Sequence, residues 1–142
     1  MSPTPDFKKL QEAAARTRKQ AYAPYSGHQV GAAIRTSDGR IFSGCNVENS
    51  SFGATVCAER GAIQSAVAAG GKFELAEVLV ITDATPPWPP CGMCRQVIAE
   101  FATPELIIHS VNTSGDVKSV PFAELFPDAF TPGHLDSSSK RG

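Results

Sequence analysis

The sequence predicts a layered α/β domain, and three observations carry that prediction. Helix-period and strand-period segments alternate along the chain, clusters of Gly, Pro, Ser and Asp separate them, and 142 residues suffice for a single domain that buries roughly 70% of its unfolded surface. Phe7 to Tyr22 reads as an amphipathic helix, with Phe7, Leu10, Ala14 and Ala21 on one side and Lys, Arg and Gln elsewhere. Val30 to Arg35 and Arg40 to Val47 read as paired strands around Ser37-Asp38-Gly39, a turn with its glycine in the expected place. A second helix, Cys57 to Ala69, stops at Gly70-Gly71, and Glu77 to Thr82 is an apolar strand. Pro86-Pro87-Trp88-Pro89-Pro90 is too short for a linker and reads as a rigid approach loop to a third helix, Cys94 to Phe101, whose first turn also takes in Cys91. Leu106 to Val111 and Val117 to Val120 follow as strands across Thr113-Ser114-Gly115-Asp116, then a short helix from Phe122 to Phe126. No internal repeat interrupts this order. Thr131 to Gly142, rich in Ser, Gly and charge, is expected to be a mobile tail on a core of residues 6–130.

Charge and composition narrow the function classes. The formal net charge is −1 and no Lys/Arg block is long enough to track phosphates, which argues against a polynucleotide partner and for a small molecule. No run of about twenty apolar residues occurs, and Met1-Ser2-Pro3-Thr4-Pro5 has no apolar core behind it, so neither a membrane span nor a signal peptide is expected. The four cysteines are expected to be reduced thiols, which points to the cytoplasm.

Three of those cysteines carry the chemistry. Cys57-Ala58-Glu59 is followed, about thirty residues on, by Pro90-Cys91-Gly92-Met93-Cys94. One Cys plus a Cys-x-x-Cys pair supplies three ligands, and a zinc ion with three protein ligands keeps a fourth position for water, as catalytic sites do. The spacing puts these thiols at two helix starts. Residues three apart face the same side of a first turn, Pro90 sits where a helix start tolerates the missing amide proton, and the positive end of each helix favours thiolate. Arg60 and Arg95 neighbour the ligands, and at least one is expected to donate to a cysteine sulfur and drain charge from it, Arg60 first. Glu59 is too close in sequence to Cys57 to be a convenient ligand, yet near enough to exchange a proton with a metal-activated water. Taken alone it would read as an ordinary first-turn glutamate stabilised by the helix dipole.

Larger segments also resemble a known family. Tyr22-Ala23-Pro24-Tyr25-Ser26, Val30-Gly31-Ala32-Ala33, Gly44-Cys45-Asn46-Val47-Glu48-Asn49, Cys57-Ala58-Glu59-Arg60 and Cys91-Gly92-Met93-Cys94-Arg95-Gln96 are similar to the small, homotetrameric, zinc-dependent cytidine deaminases. The cysteines and Glu59 also fit the general zinc-deaminase pattern of three Cys, a non-ligand Glu and Pro-Cys-x-x-Cys. The resemblance implies a three-layer α/β/α fold around a mixed five-stranded sheet, and hydrolytic removal of ammonia from cytidine or deoxycytidine. It implies Cys57, Cys91 and Cys94 as zinc ligands and Glu59 as proton shuttle. Asn46 and Glu48 would then contact the ribose, the Ala58 backbone the base, and the Pro89 carbonyl the exocyclic amine. Phe130 would reach into a neighbouring subunit's site, giving a homotetramer with composite active sites.

The chain departs from the family pattern at His28, where Phe is usual, at Phe52, where Tyr is common, and at Pro89, in place of Ser or Thr. These positions are expected to bear on substrate range, including base-modified or N4-substituted nucleosides, with blasticidin-type antibiotic nucleosides as the alternative substrate. Two readings of another class stand beside the enzyme. One is a Cys-x-x-Cys redox protein, which leaves Cys57 and Glu59 unexplained. The other is a non-catalytic zinc module closed by Cys45 as fourth ligand.

Overall fold

In the computed structural model, which describes residues 4–136, the layered α/β prediction holds. The five strands are β1 (Gly31–Thr36), β2 (Ile41–Cys45), β3 (Leu75–Thr82), β4 (Ala102–Asn112) and β5 (Val117–Pro121), ordered β2-β1-β3-β4-β5 across one sheet. The sheet is mixed: β3 and β4 run parallel, while the β1/β2, β1/β3 and β4/β5 pairs are antiparallel. The parallel pair requires a crossover, which a helix supplies.

Alternation of side chains along each strand divides the core in two. Ala33, Leu79, Ile81 and Val111 point to one face and pack against Leu10, Ala13 and Ala14 of α1 (Phe7–Arg18). Ile34, Val78 and Ile108 point to the other face, where they meet Ala62, Ile63 and Ala66 of α2 (Ala58–Ala69) and Cys94 and Ile98 of α3 (Gly92–Phe101). Phe122, the first residue of α4 (Phe122–Leu125), closes that second layer. Buried small residues let α2 lie close to the sheet. A Cβ added at Gly44 would stand 2.4 Å from the Ala62 amide nitrogen and 2.5 Å from the Ala58 carbonyl oxygen, so only glycine fits beneath the first turn of α2.

Several element ends differ from the sequence reading. The first helix stops at Arg18, short of Tyr22, because the Tyr22 peptide is recruited elsewhere: its N–H donates to the Asn46 carbonyl (3.0 Å), and its own carbonyl accepts from the Glu48 N–H (2.8 Å). The second strand ends at Cys45, since Val47 makes isolated bridges to Tyr22 and Val56 instead. β4 begins at Ala102, earlier than Leu106. The ladder shifts register between Leu75/Ala102 and Glu77/Ile107, and Pro104 lies in the segment that this irregularity frees from pairing. Of the expected tail, residues 132–135 form a 3-10 turn capped by Thr131 and His134. Residues 137–142 lie outside the described residues.

Candidate active site

Two helix starts meet as the cysteine spacing predicts. Cys57 is the N-cap of α2 and Cys91 the N-cap of α3. The Cys91 sulfur accepts a hydrogen bond from the Cys94 amide at 3.4 Å, closing the first turn of α3 and bringing both thiols of the pair to one side. The three sulfur atoms lie within 4.8 Å of one another, with Cys57 Sγ 3.8 Å from Cys91 Sγ. Ligand sulfurs about 2.3 Å from a tetrahedral ion stand about 3.8 Å apart, so this donor set fits a thiophilic metal such as zinc. Cys45 is not in the group, which removes the proposed fourth ligand of a closed zinc module.

The surroundings favour thiolate. Arg60 Nη2 donates to Cys57 Sγ at 3.3 Å and to the Thr55 carbonyl at 3.3 Å, as expected of the arginine beside the first ligand. Hydrogen bonding from the Cys94 thiol and the adjacent Arg60 hold Cys57 down at about 5 against the opposing effect of burial. Cys94, whose hydrogen bond to Cys57 keeps it protonated in a buried position, is raised. Arg95 does different work: Nε donates to the Pro90 carbonyl (2.9 Å) and Nη1 to the Leu125 carbonyl (2.8 Å), tying the metal loop to α4. It makes no sulfur contact here, because those two carbonyls engage its guanidinium.

Glu59 is 4% exposed in the first turn of α2. Burial pushes its carboxyl up to about 7, and the negative charge on Cys57 adds to the effect. A group poised between its two protonation states near neutrality is suited to carry a proton. This excludes the solvent-facing glutamate that sequence alone would also allow.

A cavity of about 370 Å³ opens over the cluster. It is lined by Cys57, Ala58, Glu59 and Cys91, by Asn46 and Glu48, by Val80 and Thr82 of β3, and by His28, Trp88 and Pro89. The position is a physical consequence of topology, since ligand crevices in α/β sheets form outside the carboxyl ends of parallel strands. A larger groove of about 580 Å³, between Ser37-Asp38 and the Phe73–Phe101 pair, has none of the metal-cluster cysteines in its walls. Volume alone does not locate the chemistry.

Around that cavity the remaining residues have specific partners. Asn46 Oδ1 accepts from the Val30 N–H (2.8 Å) and Nδ2 donates to the His28 carbonyl (2.8 Å), so the amide braces the wall it belongs to. One N–H and one lone pair stay free for a ligand. Glu48 Oε1 accepts from the Tyr25 and Ser26 amides at 2.9 and 3.1 Å, and Oε2 from the Ser26 hydroxyl; those bonds, the hydroxyl's first, hold its pKa below the usual carboxylate value. His28 packs edge-on against Trp88, ring centroids 5.1 Å apart. Phe52 is 74% exposed and lines an adjoining hollow with Tyr25, Ser26, Glu48 and Thr55, outside the walls of the central cavity. Phe130 is 54% exposed, stacks on His134, and likewise does not line its own chain's cavity. Sequence reasoning missed Trp88, Thr55, Ser26, Val30, Val80 and Thr82 as lining residues. The proline-rich approach loop was the available signal for Trp88, and the Arg60 contact to the Thr55 carbonyl had none.

Fold and site together bring three thiols, disposed to hold a metal ion, beside a buried carboxylate where two helices start above a mixed sheet. Residues 5–110 match the family described as cytidine and deoxycytidylate deaminase zinc-binding region. A cytidine deaminase from Sporosarcina psychrophila is 41% identical over 136 residues, 96% of this chain and 99% of that one. The crystal structure of cytidine deaminase from Burkholderia pseudomallei superposes with a TM-score of 0.81 at 47% identity, covering 87% of this chain and 98% of that one. A blasticidin-S deaminase from Bacillus cereus matches less fully, 36% over 111 residues, 73% of this chain and 78% of its own. The chain belongs to the cytidine and deoxycytidylate deaminase family.

Proposed function

We propose that this protein deaminates cytidine and deoxycytidine hydrolytically, releasing ammonia and leaving uridine or deoxyuridine. The observation that carries this reading is the buried Glu59 carboxylate in the same cavity wall as Cys57 and Cys91. A zinc ion held by Cys57, Cys91 and Cys94 would supply Lewis acidity and lower the pKa of water from about 15.7 towards roughly 7. Glu59 takes one proton from the attacking water and delivers it to ring N3 of the pyrimidine. It then carries the second proton to the departing nitrogen, so that one oxygen replaces one amine at C4 and ammonia leaves. Arg60, through its bond to Cys57, tempers the charge of the thiolate set.

The other assignments follow the cavity walls. Asn46, with its spare N–H and lone pair, and Glu48, an acceptor, bind sugar hydroxyls that both donate and accept. The Ala58 backbone meets the base, and the Pro89 carbonyl faces the amine. His28, where the family has Phe, flanks the base. Phe52, in the hollow beside Glu48, bears on substrate range, and Phe130, large and exposed in one chain, completes a neighbouring site in a homotetramer. Phe130 stacks on a pyrimidine bound by an adjacent subunit.

The purified, metal-analysed protein incubated with cytidine tests the reading. Loss of the cytosine absorbance with equimolar ammonia, and about one zinc per chain, is the expected result. Metal-replete protein that leaves cytidine and deoxycytidine untouched while consuming blasticidin S would transfer the activity to the alternative substrate.

A further inference from the structure

Two ends of the cavity have assigned work, and Trp88 in its lining has none. Cys57 and Cys91 with Glu59 form the reacting end, and Asn46 and Glu48 form the sugar end. Trp88 lines the same cavity and packs edge-on against His28. We propose that Trp88 is a specificity-determining residue that turns away pyrimidines substituted at C5. The inference rests on the deaminase reading above and adds the substituent class that the site refuses.

The orientation follows from the ring itself. With C4 at the reacting end, N3 towards Glu59 and N1 towards the sugar end, the C2 carbonyl and the C5–C6 edge lie on opposite flanks, and C5 adjoins the carbon that bears the amine. Trp88, the largest side chain in the cavity lining and the neighbour of Pro89, whose carbonyl is assigned the C4 amine, is braced edge-on by His28, ring centroids 5.1 Å apart and planes 65° apart. Trp88 has little freedom to yield. Pro86 and Pro87 precede it, Pro89 and Pro90 follow it, and each proline ring fixes its own φ. Pro90 is held further by the Arg95 bond to its carbonyl (2.9 Å). His28 is anchored in turn, its amide donating to the Ser26 hydroxyl at 3.0 Å and its carbonyl accepting from Asn46 at 2.8 Å. Two rings in edge-on contact, one of them on a proline-stiffened loop, resist added bulk. His28, besides flanking the base, therefore also positions Trp88.

One methyl-sized difference in an apolar pocket changes kcat/KM by about 10–200-fold, which sets the scale of the test. Steady-state kinetics on cytidine, 5-methylcytidine and 5-iodocytidine are compared for the wild type, Trp88→Ala, Trp88→Phe and His28→Ala. The wild type is expected to lose at least about tenfold in kcat/KM on adding the 5-substituent. Trp88→Ala should recover most of that loss, with Trp88→Phe and His28→Ala between. The ratio of each 5-substituted substrate to cytidine is read within each variant, so a misfolded fraction cancels. A ratio that stays at its wild-type value in Trp88→Ala, or a wild type that accepts the 5-iodo compound as readily as cytidine, overturns the assignment of Trp88. A wild type inactive on every cytidine would instead overturn the deaminase reading beneath it.

Discussion

Arg60 and Asn46 show how single side chains serve the site without taking part in the reaction. Arg60 gives one N–H to the Cys57 sulfur, and outer partners of this kind typically change metal affinity by about 10–100-fold. Competition with a chelator should therefore show Arg60→Gln losing zinc within that range, whereas affinity equal to the parent would remove its role at the sulfur. Asn46 is 7% exposed and satisfies both the Val30 amide and the His28 carbonyl. Truncation to Ala leaves those groups unpaired near the cavity, at a cost of about 1–3 kcal/mol. Denaturant unfolding should register that loss, and KM should rise because the sugar contact goes with it. Glu48 has the same double duty in the proposed site, since the carboxylate assigned to the sugar also orders the Tyr25-Ser26 turn.

At the scale of elements, the site depends on how closely α2 approaches β2. Ala58 and Ala62 press on Gly44, where an added methyl meets backbone atoms at 2.4 and 2.5 Å that have no rotamer to change. Gly44→Ala should thus displace the helix that carries Cys57 and Glu59. It is expected to cost about 1–3 kcal/mol or more in stability and to depress turnover along with it. Thermal unfolding and kinetics on one preparation check both, and an unperturbed protein would refute the close packing.

These elements were largely readable in the chain because their signals are local. Prolines, glycines, helix-starting cysteines and strand alternation placed the elements in order, and placed three cysteines and Glu59 in one site. What escaped was non-local. The end of α1 is set by the Tyr22 peptide pairing with Asn46 and Glu48, and the early start of β4 by a register shift against β3. Trp88 joined the cavity only when the loop was folded over it. Arg95, beside a ligand in sequence, turned to carbonyls that sequence cannot place nearby.

Across the whole molecule, one buried polar network ties the N-terminal segment to the sheet. Glu77, 1% exposed, accepts from Arg35 Nη2 (2.7 Å) and the Thr4 hydroxyl and pairs with His109 Nε2 (2.7 Å), whose Nδ1 meets the Ser119 hydroxyl at 2.6 Å. Burial would raise the Glu77 carboxyl, but its hydrogen bonds to His109, Thr4 and Arg35 hold it at about 2, below its ordinary 4.5. A depressed carboxylate stabilises the fold fully above the unfolded value and ceases to as pH falls through the folded one. Stability should therefore decline from about pH 4.5 towards 2. Glu77→Gln should flatten that limb in denaturant titrations while costing about 3–5 kcal/mol at neutral pH. An acid limb identical in the variant would show that Glu77 does not govern it. The assembly is tested separately: light scattering should return a tetramer, and a fully active monomer would remove Phe130 from the proposed composite site. The account as a whole stands on proton transfer by Glu59 beside the three thiols, and its most direct test is ammonia release by Glu59→Gln at matched zinc content. The expected result is a fall in kcat of about 10²–10⁴-fold with the metal retained; release at the parental rate would contradict it.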